Sequence, residues 1–503
     1  MRAGRFSGGI TLPGLKPPAG PVRTLPLPAV LRVPLLQHAG AACEPCVALG
    51  DAVARFAVLG RPPADALGAP VHAPAAGRVL AIEPGPTALP GTPIALHVLI
   101  EVDADGPEQR LPRLDPATAT APELLSRIAE AGVVGLGGAG VPSAEKLAVG
   151  RRWLVLNAAE CEPVVACDDS LVADEPDDVL DAAAMLARLV GAERVTLAME
   201  DRMGRAIDAM TRALAARAAA GVPPVLELAV LESRYPAGGE RQLIEALAGV
   251  EVPDEGLPRD VGIVVHNVAT AVAALRAVRD GEPLVRRRVT VGGDGAAAAA
   301  TFDVALGTPA RALAEAVGGW LPAARVLRAG GPMMGVPLPD DDVSVGKTTI
   351  ALTAWCAAAV APMPCIRCGD CASACPSRLL PQQLHARLQA KDADGALALG
   401  LMACIECGAC DAVCPSAIPL TRSFAAARHD ERARRAQHVQ ADEARGRFER
   451  RGERLARLAD DAAKRQAGRA AKTVGAAAAA LARARAKRSG TSDPPPADGD
   501  DAP

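Results

Sequence analysis

The sequence predicts a multidomain α/β protein, with a β-rich N-terminal region, a central α/β region, a small β region and a helical, cysteine-bearing region in that order. Three observations predict it. Residues 1–115 are rich in Pro and Gly and carry only short apolar runs. Residues 116–280 alternate apolar runs with amphipathic stretches, the pattern of a parallel sheet covered on both faces. Eight of the 13 cysteines crowd into two tight arrays between residues 365 and 414. At roughly 100–200 residues per domain, 503 residues suggest about three to five domains. Aromatic residues make up only 2 %, so Ala, Val and Leu must do most of the packing. A net charge of −3 argues for neither a polyanionic nor a polycationic partner, and no nucleic acid is expected.

In residues 1–115, Gly50-Asp51, Val71-His72-Ala73-Pro74 and Gly77-Arg78-Val79 read as turns between short strands. The pattern resembles the barrel-sandwich, or hammerhead, fold of biotinyl and lipoyl carriers. Those carriers need a Lys on a hairpin tip, and no Lys occurs between Lys16 and Lys146. A scaffold without carrier chemistry is expected. In residues 116–280, Pro122 to Ala131 reads as a helix and Trp153 to Asn157 as a buried strand. Asp177 to Val190 reads as an amphipathic helix, and Arg194 to Met199, Val225 to Leu231 and Val261 to Val265 as further strands. Residues 281–350 form a shorter, glycine-rich β stretch, and 351–430 hold the cysteine arrays among helices. From Glu431 to Gly490 Ala, Arg and Glu dominate, as in a long charged helix; TSDPPPADGDDAP at 491–503 reads as disordered. The opening MRAGRFSGGITLPG has no apolar signal core, and no apolar run reaches the roughly 20 residues of a spanning helix. A reducing, cytosol-facing location follows, with any membrane role depending on partners.

The arrays are Cys365-Ile-Arg-Cys368-Gly-Asp-Cys371-Ala-Ser-Ala-Cys375-Pro376 and Cys404-Ile-Glu-Cys407-Gly-Ala-Cys410-Asp-Ala-Val-Cys414-Pro415. Each is C-x2-C-x2-C-x3-C-P, the bacterial ferredoxin run. Three close thiolates wrap one [4Fe–4S] cube, and the Cys before Pro ligates the other. Cys365, Cys368, Cys371 and Cys414 are therefore assigned to one cluster, and Cys404, Cys407, Cys410 and Cys375 to the second. Zinc sites favour paired C-x2-C knuckles over three evenly spaced cysteines. Cys43-Glu-Pro-Cys46 stands alone and reads as a core or surface pair.

Gly135-Leu-Gly137-Gly138-Ala-Gly140 matches G-x-G-x-x-G, but a helix precedes it where the dinucleotide fingerprint needs a strand. Taken alone it is equally a tight turn or a phosphate cradle, the latter aided by a helix start near Pro142-Ser143 and the charge of Lys146. Polar residues follow three apolar strands: Asn157-Ala-Ala-Glu160-Cys-Glu162, Tyr235-Pro-Ala-Gly238-Gly239-Glu240 and His266-Asn267-Val-Ala-Thr270. Strand ends are where open α/β sheets bind ligands. These residues alone fit one crevice or three unrelated loops equally well.

GLGGAG, NAAECEP, YPAGGE, GGPMMG at 330–335 and the two arrays, in that order, resemble the RnfC family of the Rnf electron-transport complex, from about Gly8 to Arg422. The middle region is also similar to the flavin-carrying subunit of respiratory complex I. The resemblance implies FMN contacts at Gly135, Gly137, Gly138, Gly140, Lys146, Asn157, Glu160, Glu162, Asn267 and Thr270. It implies NAD(H) contacts near Tyr235, Gly238, Gly239 and Glu240. It makes 281–350 a small β-grasp domain. The family has Phe where this chain has Val141, and complex I has Asp and Glu where it has Ala159 and Gly239, so the nucleotide contacts differ in detail. Gly346-Lys347-Thr348 mimics the end of a P-loop, but Asp341 occupies the required Gly position, so no NTPase site is expected.

A hydride carries two electrons and each cluster accepts one, so the resemblance implies a route between NAD(H) and two [4Fe–4S] clusters through FMN. It further implies the other membrane subunits of an Rnf complex as partners, ferredoxin or flavodoxin as the exchange partner, and a peripheral place on the cytoplasmic side of the bacterial inner membrane. No catalytic side chain is proposed. The rivals are a cobalamin reductase of bacterial microcompartments and a non-catalytic electron-relay adaptor.

Overall fold

In this computed structural model the chain is described at residues 4–16, 20–254, 256–357 and 360–490. It divides into two compact units, Met1–Ala426 and Ala427–Pro503. The tail expected to be disordered lies outside the described residues.

The N-terminal part of the first unit is all β. Val30–Pro34, Ile94–Asp103, Ala76–Pro86 and Ala52–Val53 pair in that order as an antiparallel sheet, and Glu44–Pro45, Val58–Arg61 and Val71–His72 make a second one. Alternation along the strands turns Leu31, Val33, Val98 and Ile100 into a shared core with Leu59 and Val71.

The central sheet is parallel, in the order Glu227–Leu231, Arg194–Glu200, Trp153–Asn157, Ile263–Asn267. Successive side chains of one strand serve opposite faces. Leu154 and Leu156 join the core carrying the helices Pro176–Val190 and Val268–Arg279, and Val155 joins the opposite core with Leu243 and Ile244 of the helix Glu240–Ala248. Coverage of both faces is what the near-continuous apolar strands require. The helix Ala121–Glu130 precedes the glycine loop, and Thr120 and Glu123 form a capping box at its start.

A mixed six-stranded sheet follows, in the order Arg23–Thr24, Ala300–Ala305, Arg286–Gly292, Ala351–Trp355, Val326–Ala329, Val336–Leu338. Ala351–Trp355 sits inside this sheet, parallel to Arg286–Gly292, so the sheet runs past the boundary expected at residue 350. The Gly-Lys-Thr segment has a structural task here. Lys347 is fully buried, and its ammonium donates to the carbonyls of Pro70 (2.7 Å) and Gly132 (2.8 Å) while its backbone N–H donates to Gln37 Oε1. One side chain thus ties the β region, the glycine-loop approach and the mixed sheet together. Burial pushes its pKa down to about 7.

The cysteine region repeats one backbone path twice. Arg367 and Glu406, the residues before the second cysteine of each array, have φ of 59° and 58°, and Gly369 and Gly408 have φ of 89° and 75°. Arg378 and Ala417, three residues after each final cysteine, match again at 53° and 50°. Non-glycine residues seldom hold positive φ, so four of them in register mark a built feature. The N-terminal segment reaches this region. Gly9 N–H donates to the Ala374 carbonyl at 2.9 Å, and a Cβ on Gly8 would lie 2.3 Å from the Cys375 oxygen, so only glycine fits there.

The second unit is the continuation of the helix Leu420–Ser489. Ion pairs one turn apart, such as Glu431 with Arg434 and Arg435, Glu443 with Arg447 and Asp460 with Lys464, run along it. Among the described residues no helix is long and apolar enough to cross a membrane.

Candidate functional site

Two neighbouring strands end together, with Asn157 directly opposite Asn267. Asn267 caps the helix Val268–Arg279 by accepting from the N–H groups of Ala269 and Thr270, and it donates to Asp168 at 2.6 Å. Asn157 donates to the Gly238 carbonyl at 2.9 Å, which brings in the third loop. Thr270 Oγ1 accepts from the N–H of Leu136 at 2.8 Å, which pins the glycine loop over the same strand ends. Gly135 and Gly140 close that loop on themselves, and Gly137 lies against Asn267. Gly138 has φ +111° and faces open space, so a ligand can lie directly on the backbone there. The short helix Ser143–Leu147 carries Lys146, whose ammonium pairs with Glu240 at 2.5 Å. Pairwise contacts thus join the glycine loop to Asn267 and Thr270, Asn157 to Gly238, and Lys146 to Glu240 at neighbouring strand ends. Exposed loop backbone plus one cation suits a phosphate group, and the residues fit FMN in that respect.

Other expected residues have different occupations. Glu160 is buried, accepts from Asp169 N–H at 2.9 Å and lies 3.7 Å from Lys16. Glu162 accepts from the N–H groups of Met333 (3.1 Å) and Met334 (2.6 Å), so its carboxylate clamps the GGPMMG loop and is not a free flavin contact. Tyr235, expected beside NAD(H), is 2 % exposed and donates to the Cys407 carbonyl. The ring packs in an apolar cluster with Ala374, Cys407 and Ala409. Sequence reasoning missed Lys16 and Asp168. Lys16 donates to the Val165 carbonyl at 2.7 Å and is a cation shared by Glu160, Asp169 and Glu200, with Arg205 also acting on Asp169 and Arg202 on Glu200. Burial, with Glu160 adding, raises the Asp168 pKa to about 7; burial raises that of Glu200 to about 7, with Lys16 opposing. The isolation of Lys16, with no other Lys before Lys146, was the available signal.

The arrays cross over. Cys365, Cys368, Cys371 and Cys414 line one open recess of about 380 Å³, together with Gln382 and Pro415. Cys375 and Cys404 both lie near Cys407; burial first, then these neighbours, push the Cys407 thiol up to about 12. Among the described residues no three metal-binding side chains close on a single ion-sized point. Thiols spread around a recess in the bacterial ferredoxin spacing fit a multi-iron cluster better than one zinc ion. Gly408 packs on the Met333 carbonyl, so the GGPMMG loop links Glu162 to the second array.

Family models place these features. Residues 4–105 match the RnfC barrel sandwich hybrid domain, 128–276 the Nuo51 FMN-binding domain and 364–418 the 4Fe-4S dicluster domain. The C subunit of the ion-translocating oxidoreductase complex of Rhodobacter capsulatus is 41 % identical over 418 residues, covering 81 % of this chain and 79 % of its own length. Its counterpart in Citrobacter koseri is 40 % identical over 505 residues, covering 97 % and 70 %. That of Cronobacter sakazakii is 41 % identical over 466, covering 90 % and 58 %. A solved NAD+-reducing [NiFe]-hydrogenase in the H2-reduced state is 21 % identical, with 62 % of each chain covered and a TM-score of 0.43, too distant to bear on the site. Fold and site thus define an oxidoreductase subunit that joins a flavin-type domain to iron–sulfur arrays. The chain belongs to the RnfC family of the ion-translocating oxidoreductase complex.

Proposed function

We propose that this chain is the peripheral electron-transfer subunit of a membrane-bound, ion-translocating complex of Rnf type, passing electrons between NAD(H) and two [4Fe–4S] clusters by way of FMN. One observation carries the reading: the loop from Tyr235 to Glu240 touches both the crevice, through Gly238 and Asn157, and the second array, through Tyr235 and Cys407. Flavin, when bound, takes a hydride and gives up electrons singly. The chain's own residues hold and orient. The backbone of Gly135 to Gly140 and Lys146 would hold the phosphate; Asn267 and Thr270 fix that loop, and Asn157 fixes the Gly238 loop beside it. Gly238, Gly239 and Glu240 form the rim on which the nicotinamide nucleotide docks. Cys365, Cys368, Cys371 and Cys414 hold one cluster, and Cys404, Cys407, Cys410 and Cys375 the other.

The domain layout that accompanies this reading is a barrel sandwich in 1–115, the flavin domain in 116–280, a β-grasp unit from 281, the cluster domain to 430 and a docking tail beyond. The protein sits on the cytoplasmic face, held by membrane partners, with ferredoxin or flavodoxin exchanging electrons through the complex. Anaerobic NADH added to flavin-loaded protein is expected to bleach the flavin absorbance. Flavin that stays oxidised while dithionite still reduces it would point to the relay adaptor instead.

A further inference from the structure

Tyr235 is the only tyrosine in the chain, and its hydroxyl meets the cysteine region at a single, well-defined atom. It donates to the backbone carbonyl of Cys407 at 2.5 Å, between residues 172 positions apart. The ring is enclosed by Ala374, Ala409, Ile10 and Cys161. Its backbone is fixed too: the Tyr235 N–H donates to the Ile10 carbonyl at 2.8 Å, and the Tyr235 carbonyl accepts from the Ile10 N–H at 2.9 Å. A phenol held at both ends cannot swing into the crevice.

We propose that Tyr235 is a positioning residue that raises the reduction potential of the cluster on the second array, through the Cys407 carbonyl. The inference rests on the reading that Cys404, Cys407, Cys410 and Cys375 hold a cluster. The O–H dipole points its positive end at a residue that ligates that cluster. Reduction adds negative charge, which a positive dipole end nearby in a water-poor setting stabilises. On the first array the Ser416 hydroxyl donates to the carbonyl of Pro364, one residue before Cys365, at 3.0 Å, but there Cys365 and Cys368 are exposed and solvent screens such a dipole. The Tyr235 hydroxyl therefore biases electrons toward the cluster beside the crevice.

The test uses Tyr235→Phe, which keeps the ring and deletes only the hydroxyl. The full-length protein, loaded with FMN and both clusters, is poised with mediators and followed by EPR, alongside the same substitution in a Cys414→Ala background that retains only the second-array cluster. The expected result is a downward shift in the midpoint of one [4Fe–4S] component, the one that persists in the Cys414→Ala background. The other component, the iron content and the flavin content stay at the parent's values. Unchanged midpoints for both clusters, or an equal shift in both, would overturn the inference while leaving the ligation intact. A parent protein that never assembles a second-array cluster would instead overturn the cluster reading on which it rests.

Discussion

Cys414→Ala removes the cluster built on Cys365, Cys368 and Cys371 and spares the one beside its own sequence neighbours. Cys414 lines the recess of the first array, not that of Cys404, Cys407 and Cys410. A [4Fe–4S] cube has four iron corners, and losing one thiolate from a recess open to solvent exposes a corner to hydrolysis. Iron and acid-labile sulfide are expected to fall by about half. The residual EPR spectrum should match that of Cys368→Ala, while Cys375→Ala should match Cys407→Ala. These pairings, read from spectra of dithionite-reduced protein, are the check. A Cys414→Ala spectrum equal to that of Cys407→Ala would place each cluster on one contiguous array and refute the crossover.

Lys146→Ala is expected to weaken FMN binding by about 10–100-fold, the equivalent of one charged hydrogen bond of roughly 1.5–3 kcal/mol. Lys146 follows the glycine loop on the helix Ser143–Leu147, and its one ion-pair partner shown, Glu240, is about one-third exposed. The phosphate must therefore compete with a carboxylate that solvent already screens, which makes the exchange cheap. Removing Lys146 also leaves the Glu240 charge near the phosphate, which adds repulsion. Glu240→Ala should behave differently: flavin retention is kept, because the competing carboxylate is gone, while reduction by NADH slows. Equilibrium dialysis against FMN at low and high salt separates the two, since the lysine contribution fades with screening. Flavin affinity in Lys146→Ala equal to the parent's would show that the loop backbone alone holds the phosphate.

The elements that local chemistry dictates were legible in the sequence. Trp153–Asn157 is a strand with the ends its apolar run predicts, and both arrays bend as the repeated Cys-x-x-Cys-Gly spacing requires. The strand ends were half legible: polar residues follow three apolar runs, but only the parallel register sets Asn157 opposite Asn267. What stayed hidden depends on partners far away in the chain. Arg23–Thr24 extends a sheet through Ala300–Ala305, and Ala351–Trp355 looks in isolation like a lead-in to the cysteines although it pairs inside that sheet. Lys347 looks like a P-loop remnant until the carbonyls of Pro70 and Gly132 reach it. Tyr235 carries no local sign that its hydroxyl ends on Cys407. Motif likeness pointed only to the nucleotide, while the contact with Cys407 depends on a residue 172 positions away.

In the proposed route, electrons pass from a nicotinamide nucleotide to the clusters of one chain only through a flavin held between the Asn157 and Asn267 strand ends. Rapid-freeze EPR after mixing with NADH tests it most directly, on the same cluster-loaded protein before and after FMN is stripped and restored. Reduced-cluster signals that appear with flavin present, vanish when it is stripped and return on reloading are the predicted result. Clusters reduced by NADH at the same rate without flavin, or never reduced with it, would contradict the account.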